Sequence, residues 1–251
     1  MRKTTSDQQL ISSPDNEVVR RLRRLVRRRE PGFVLLEGPR VVAEAAAAGI
    51  PLELLVVREG DDFDMEAAHR VRFTRGLFAS ISQTVTPQGV VAIASLRESK
   101  PEDAVAAARG ASWPLVVLDR VQDPGNVGAI CRTAAAAGAP ALVVLPGCAD
   151  PYGAKAVRSS AGNVFRLTVA RSAWEDLGAI DGYGAAASGG TPLDRAPVEN
   201  AGMIVFGSEA HGISRGDLEL VSIPMSDRVE SLNVAAAAAV ILFEIKRRKA
   251  A

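Results

Sequence analysis

The sequence predicts an α/β protein, with a small α/β domain near the N-terminus followed by a larger domain whose mostly parallel sheet carries helices on both faces. Three observations predict it. From Trp113 onward, short β-branched runs alternate with helical segments, as strands joined by crossover helices do. A weaker alternation of the same kind runs from Phe33 to Ala94. The last helix opens with Asn233 and Val234, continues through five alanines to Phe243, and is apolar nearly all round. Such a helix has to be buried, in a way that a second subunit could share.

The elements follow in order. Residues 1 to 14 read as a loose tail. Asp15 or Asn16 can cap a helix through an arginine cluster, with Val18, Val19, Leu22, Leu25 and Val26 as its apolar stripe. A strand at 33–36 precedes Gly38-Pro39, which opens an alanine-rich helix ending near Gly49. Residues 52–57 and 90–94 read as strands and complete a domain over residues 15–96. Residues 97–112 are charged and alanine-rich and read as a linker with some helix. The second domain, residues 113–251, has expected strands at 115–118, 141–145, 164–169, 183–187, 203–206 and 221–223. Its expected helices lie at 127–137, 155–160, 173–180 and 233–248.

Composition narrows the function classes. At 251 residues the chain can bury a sizeable core in one or two domains. Its 47% apolar and 24% charged residues suit a soluble globular protein. The net charge of +1 hides local basic clusters. Arg20, Arg21, Arg23, Arg24, Arg27, Arg28 and Arg29 crowd one stretch, and Lys246, Arg247, Arg248 and Lys249 another. A phosphate backbone responds to such clusters, although a solvated helix face reads the same way. Two cysteines, Cys131 and Cys148, and two histidines, His69 and His211, supply neither a disulfide framework nor a structural zinc site. The first twenty residues have no apolar core of a secretory signal, and charges and glycines interrupt the alanine runs. The expectation is a cytoplasmic protein without a membrane partner.

Three segments could carry chemistry, each at the C-terminal end of an expected strand, where open α/β sheets bind ligands. In residues 118–133 the chain turns from strand to helix through Asp123-Pro124-Gly125-Asn126, with Asn126 a good N-cap. Gly125, Gly128, Ala129 and Arg132 share one helical stripe, a smooth groove ending in a guanidinium that suits a phosphodiester. Close helix packing and a salt bridge would explain the same residues. In residues 205–212, Gly207 lets a ligand approach the backbone, and Glu209 could orient a base, bind a ribose or pair with an arginine. His211 is a lone loop histidine, more often incidental than a base. In residues 223–233, Pro224 ends a strand, Ser231 can cap the last helix, and Asn233 offers donors and acceptors. Two features are set aside. Gly182-Tyr183-Gly184-Ala185-Ala186-Ala187 loosely fits a dinucleotide pattern but has no helix after it. Cys131 lies off the Arg132 stripe and reads as packing.

Together and in this order, the three segments resemble the three motifs of the SpoU/TrmH family in the knotted SPOUT methyltransferase class. The match rests on Asn126 with Arg132, on Gly207 with Glu209 and Gly212, and on Ile223-Pro224-Met225 with Ser231-Leu232-Asn233. It covers the chain from about Trp113 onward. The first hundred residues are similar to the substrate-binding domain of the rRNA-directed branch, through residues 33–40 and 88–92. The resemblance implies a deep trefoil knot, a homodimer, and S-adenosylmethionine-dependent methylation of a ribose 2′-OH in RNA. The substrate expected from it is large-subunit rRNA, with tRNA or a catalytically silent RNA-binding member as alternatives. It places the cofactor on Gly207, Ile223, Met225 and Leu232, and the chemistry on Asn126, Arg132, Glu209, Ser231 and Asn233, with no metal. Arg20, Arg23, Arg24, Arg27 and Arg40 would meet RNA. Family accounts often make the arginine the general base. A guanidinium rarely gives up its proton, so Arg132 is expected to clamp a phosphate and stabilise the developing alkoxide. A nucleotide-dependent oxidoreductase is disfavoured because no glycine pattern opens a helix.

Overall fold

The structure is a computed structural model that describes residues 9–84, 86–208, 211–226 and 228–250. The chain forms two compact units, Met1–Arg97 and Glu98–Ala251.

In the first unit, β1 (Leu10–Ile11) precedes α1 (Glu17–Arg27), β2 (Phe33–Glu37) and α2 (Pro39–Ala47). They are followed by β3 (Leu52–Arg58), β4 (His69–Phe73), α3 (Arg75–Ile81) and β5 (Val90–Ser95). Asn16 caps α1 by accepting the Val18 N–H at 2.9 Å. The sheet runs β1-β4-β3-β5-β2; the first three are parallel, and β5 is antiparallel to both its neighbours. Val19, Leu22 and Leu25 of α1 join Leu77, Phe78 and Ile81 of α3 over Leu35, Val56, Val91 and Ile93. The alternate strand positions, Val34, Leu36, Leu55 and Ala92, are also buried, with Val42 and Ala45 of α2. The expected tail therefore contributes an edge strand: Leu10 and Ile11 pair with Arg72 and Phe73, and Ile11 is buried because it enters this core.

In the second unit the elements are α4 (Pro101–Gly110), β6 (Leu115–Asp119), α5 (Pro124–Ala137), β7 (Ala141–Val144), α6 (Ala154–Ser159) and β8 (Thr168–Arg171). The rest are β9 (Gly182–Ala186), β10 (Thr191–Pro192), β11 (Met203–Gly207), β12 (Glu219–Ser222) and α7 (Val234–Lys249). The seven-stranded sheet has the order β10-β12-β9-β11-β6-β7-β8, and every neighbouring pair is parallel. Its central strands are buried on both faces, as continuous apolar runs such as Leu115-Val116-Val117-Leu118 require. Connections run from β6 outward through β7 to β8, then cross to the β9–β12 side. The switch point thus lies between β6 and β11, and ligands of such sheets bind beyond the strand ends there.

Three expected elements come out differently. Residues 97–112 contain α4, which buries Ala104 and Ala108 against Leu115, Val117, Ala141 and Val143 and so belongs to the core of this unit. The expected strand at 164–169 begins as a short 3-10 turn, Asn163–Arg166, after Gly162 takes a left-handed φ of 82°; the strand itself is β8. The expected helix at 173–180 is only the 3-10 turn Glu175–Leu177, stopped by Gly178 at φ 67°.

Candidate active site

Beyond the C-terminal ends of β9 and β11 lies a cavity of about 720 Å³, within the range of small-molecule and cofactor sites. Its floor is made by the strand ends, Ala185, Ala186, Phe206 and Gly207. Ile213, Leu218, Leu220, Ile223, Met225, Leu232 and Ile241 supply aliphatic walls, and Ser208, Ser231, Asn233 and Arg215 supply polar groups. Four residues expected to hold a cofactor, Gly207, Ile223, Met225 and Leu232, thus share one cavity although they come from two separate segments. Leu232 is 38% exposed, so part of this wall is open to a ligand.

Gly207 is required for a reason other than ligand approach. A Cβ on it would lie 2.5 Å from the carbonyl carbon and oxygen of Gly212, which forms a two-way backbone bridge with Ser208. The glycine lets the loop after β11 fold back on the strand end.

The start of α7 lines the cavity, and the start of α5 is hydrogen-bonded to it. Asn233 begins α7, its side-chain oxygen accepting the N–H groups of Ala235 and Ala236 at 3.0 and 3.4 Å. Its amide nitrogen donates to Asn126 Oδ1 at 3.1 Å, joining the first and third motifs across 107 positions. Asn233, and not Ser231, therefore caps the helix; Ser231 lies exposed on the cavity wall. Likewise Asp123, and not Asn126, caps α5, because Pro124 takes the first helical position. Asp123 accepts the Asn126 N–H at 3.0 Å and the Lys155 ammonium at 2.8 Å. The Lys155 hydrogen bond, and then the backbone N–H of Asn126, hold the Asp123 carboxyl below its usual range. The Asn126 side chain faces Asn233, from which its Oδ1 accepts.

The α5 stripe is divided between two roles. Gly128 packs against α6, where a Cβ would sit 2.2 Å from the Ala156 carbonyl oxygen. Gly125 is tied to α6 through its carbonyl, which accepts Ser159 Oγ at 2.7 Å. Helix packing thus accounts for Gly128, which does not line an open groove. Arg132 is exposed two turns beyond Gly125 and does not line the cavity. Cys131, on the buried side, is pushed up to about 12 by desolvation, as a packing thiol should be. Glu209 lies outside the described residues.

In the first unit, Arg20, Arg24, Arg27 and Arg40 are exposed and Arg23 is half-buried. Arg20, Arg23, Arg24 and Arg27 fall within one side of α1 at 100° per residue. Arg21, on another side, is held by Glu53 at 2.8 Å and stacks on Phe33. Among the described residues no group of three or more His, Cys, Asp or Glu could hold a metal, and no helix is long and apolar enough to cross a membrane.

Two contributors are missed by the sequence reading. The segment ending Ala185-Ala186-Ala187, set aside as a false dinucleotide pattern, lines the cavity, its small side chains leaving room at the end of β9. Lys155 and Ser159 hold the start of α5 from α6; their only signal in the sequence is a short polar-apolar helix after Pro151.

Residues 114–243 match the SpoU rRNA Methylase family, and residues 16–92 match the MRM3-like substrate binding domain. The chain is 32% identical, over 94% of its length and 98% of the relative's, to the 23S rRNA (guanosine(2553)-2′-O)-methyltransferase RlmP of Bacillus subtilis (strain 168). Two solved structures resemble it over nearly the whole chain. One is an AdoMet-bound rRNA methyltransferase from Sinorhizobium meliloti, with TM-score 0.80, 27% identity, and coverage of 96% of this chain and 98% of that one. The other is the SpoU methyltransferase AviRb from Streptomyces viridochromogenes in complex with AdoMet, with TM-score 0.80, 26% identity, and coverage of 94% and 99%. With Gly207, Gly212, Ile223, Met225, Ser231, Leu232 and Asn233 of the second and third motifs around one cavity and more than half its length matched by the family, the chain belongs to the SpoU rRNA Methylase family.

Proposed function

We infer that this protein transfers a methyl group from S-adenosylmethionine to a ribose 2′-OH of RNA, with large-subunit rRNA as substrate. One observation carries the reading: Asn233 of the third motif lines a cavity of cofactor size and donates to Asn126 of the first, which supports a polar pair beside that cavity. The cavity fits the group by its chemistry. Aliphatic side chains of Ile223, Met225 and Leu232 suit the faces of a purine, and the backbone at Gly207 and the polar groups of Ser208 and Ser231 suit its hydrogen-bonding edges. Bound there, S-adenosylmethionine supplies an electrophilic methyl group. Asn126 and Asn233 orient the ribose, Ser231 and Glu209 complete the polar set, and Arg132 binds the neighbouring phosphate and stabilises the developing alkoxide. The relatives with rRNA in their names and the substrate-binding-domain match support rRNA over tRNA.

In this reading residues 15–96 are the RNA-binding domain. The arginine face of α1 and Arg40 at the start of α2 contact the phosphate backbone, and affinity should fall steeply with salt. The protein works in the cytoplasm, and the trefoil knot belongs to the same proposal. So does a homodimer through the methyltransferase domain, supported by Val240 and Phe243, which are 43% and 47% exposed on α7. Light scattering on the purified protein reads the assembly directly, and a fully active monomer would refute it.

The decisive test concerns Arg132. Arg132→Ala should leave folding and cofactor binding intact while methyl transfer falls at least about a hundredfold, roughly 3 kcal/mol of transition-state stabilisation. A lysine cannot make the bidentate phosphate contact, so Arg132→Lys should be nearly inactive at every pH. Activity that rises with pH in the lysine variant would favour a general-base role. Full activity in the alanine variant would remove Arg132 from the mechanism altogether.

A further inference from the structure

Asp119 is a buried carboxylate that the proposed chemistry does not use. It ends the central strand β6 at 1% exposure and does not line the cavity, so it cannot touch a substrate there. Instead it accepts the backbone N–H of Ser214, 95 positions further along the chain. Its second oxygen lies 3.3 Å from Arg120 Nε. Arg120 holds a left-handed φ of 57°, a conformation that costs any residue other than glycine and persists only where its surroundings impose it. From that position Arg120 donates to the Gly212 carbonyl at 3.4 Å. A third anchor comes from the segment after β8: the Trp174 indole N–H donates to Ser214 Oγ at 2.9 Å. The same ring lies under the Arg215 guanidinium, 5.5 Å from its centroid, and Asp217 holds Arg215 at 2.6 and 2.8 Å.

These contacts converge on residues 212–215, of which Gly212, Ile213 and Arg215 wall the cavity. Beyond the Ser208–Gly212 bridge, this exposed loop has no strand or helix of its own to hold it. We propose that Asp119, together with Arg120 and Trp174, is a positioning cluster that fixes this loop as the wall of the S-adenosylmethionine pocket and so sets cofactor affinity. The proposal rests on the cavity being that pocket. A loop held in its binding geometry before the cofactor arrives does not have to be ordered by it, and the apparent affinity scales with the population already in place. The buried carboxylate matters because a hydrogen bond to a charged acceptor is stronger than a neutral one and is shielded here from water.

The test uses the full-length protein, with Trp113→Phe so that Trp174 is the remaining tryptophan. Calorimetry with S-adenosylmethionine, Trp174 fluorescence, and amide exchange over residues 208–216 in cofactor-free protein are the readouts. Asp119→Ala should raise the Kd about tenfold, the loss expected for one charge-assisted hydrogen bond. It should also speed exchange in the loop and shift Trp174 emission. Asp119→Asn keeps an acceptor for the Ser214 N–H but loses the charge, and its Kd should fall between those of the parent and Asp119→Ala. In turnover, the cofactor KM should rise more than kcat falls. If Asp119→Ala does not fold, Trp174→Phe in an otherwise native chain removes one anchor at the surface and should still weaken binding and loosen the loop. Unchanged Kd and unchanged exchange in folded variants would overturn the proposal, as would a loss of kcat with KM unaltered. Failure of the parent protein to bind S-adenosylmethionine would instead overturn the pocket assignment, while the exchange measurement still tests the clamp.

Discussion

Replacing Gly207 with alanine probes the close approach of the loop to the end of β11. The added Cβ would stand 2.5 Å from the Gly212 carbonyl carbon and oxygen and 2.8 Å from the Ile213 nitrogen. Ordinary contact begins at 3.4 Å, so the loop must retreat by about 0.9 Å, and its obstacle is backbone, which cannot swing aside as a side chain can. The bridge between Ser208 and Gly212, with hydrogen bonds of 3.0 and 2.8 Å, is the structure that yields. Overpacking of this kind costs about 1–3 kcal/mol and a lost backbone hydrogen bond about 1 kcal/mol, together roughly 2–4 kcal/mol. That cost falls on the closed loop and not on the core, because Phe206 is already fully buried in β11 and the loop can open to relieve the clash. The variant should therefore melt close to wild type while its affinity for S-adenosylmethionine drops roughly 30- to 1,000-fold. Calorimetry and a thermal melt on the same sample separate the two effects. Affinity within about threefold of wild type in a folded protein would show that the loop geometry does not govern the pocket.

Two other residues make separable predictions. Asn233→Ala removes the α7 cap and the partner of Asn126, so stability should fall by about 1 kcal/mol in denaturant titrations. Asn233→Asp keeps a capping oxygen but loses the amide donor, so it should recover that stability without recovering methyl transfer; equal recovery of both would reduce Asn233 to a cap. Glu244 is held at about 2, below its ordinary 4.5, first by the hydrogen bond from Arg247 and then by that from Arg248. Its folded value is depressed, so the stability it contributes is present above about pH 4.5 and is lost as pH falls toward 2. Glu244→Gln should flatten the pH dependence of stability in that window, and an unchanged acid profile would show that the pairing seen with Arg247 and Arg248 contributes nothing in solution.

Much of the second unit is legible because its strands are apolar on both faces and its helices intervene at regular spacing. The caps are less so. Pro124 is a sufficient sign that Asp123, and not Asn126, precedes the first helical residue, but aspartate and asparagine are equally good N-caps, so residue type alone does not separate them. Gly128 carries no hydropathy, so helical periodicity cannot say whether α6 or an RNA strand fills the space beside it; only the packing against Ala156 decides. In the first unit, β4 reads His69-Arg70-Val71-Arg72-Phe73, and its arginines hide the strand pattern. Arg70 is held by Asp64 at 2.6 Å and Arg72 by the Asp61 carbonyl at 2.9 Å, partners that lie in a loop with no periodicity of its own. The motifs behave differently again: Asn126, Gly207 and Asn233 could be named from their order, but that Gly207 and Asn233 share a cavity and Asn233 reaches Asn126 follows from a sheet order in which β11 lies beside β6.

That geometry also bears on what Arg132 can do. It follows Asn126 by six residues, a rise of about 9 Å along α5 at 1.5 Å per residue. Helical side chains lean toward the N-terminus, which for Arg132 is the direction of Asn126. Asn126 itself accepts from Asn233, which lines the cavity proposed to hold the cofactor. If, as proposed, the ribose lies against that pair, the six-residue offset would turn Arg132 toward a flanking phosphate and not toward the hydroxyl. A base must touch the proton it removes, whereas a phosphate clamp acts through the neighbouring group and tolerates this offset. The exposure of Arg132 fits the same division: a residue that waits for a polyanion has to be left open to it, and a guanidinium can then engage two phosphate oxygens at once.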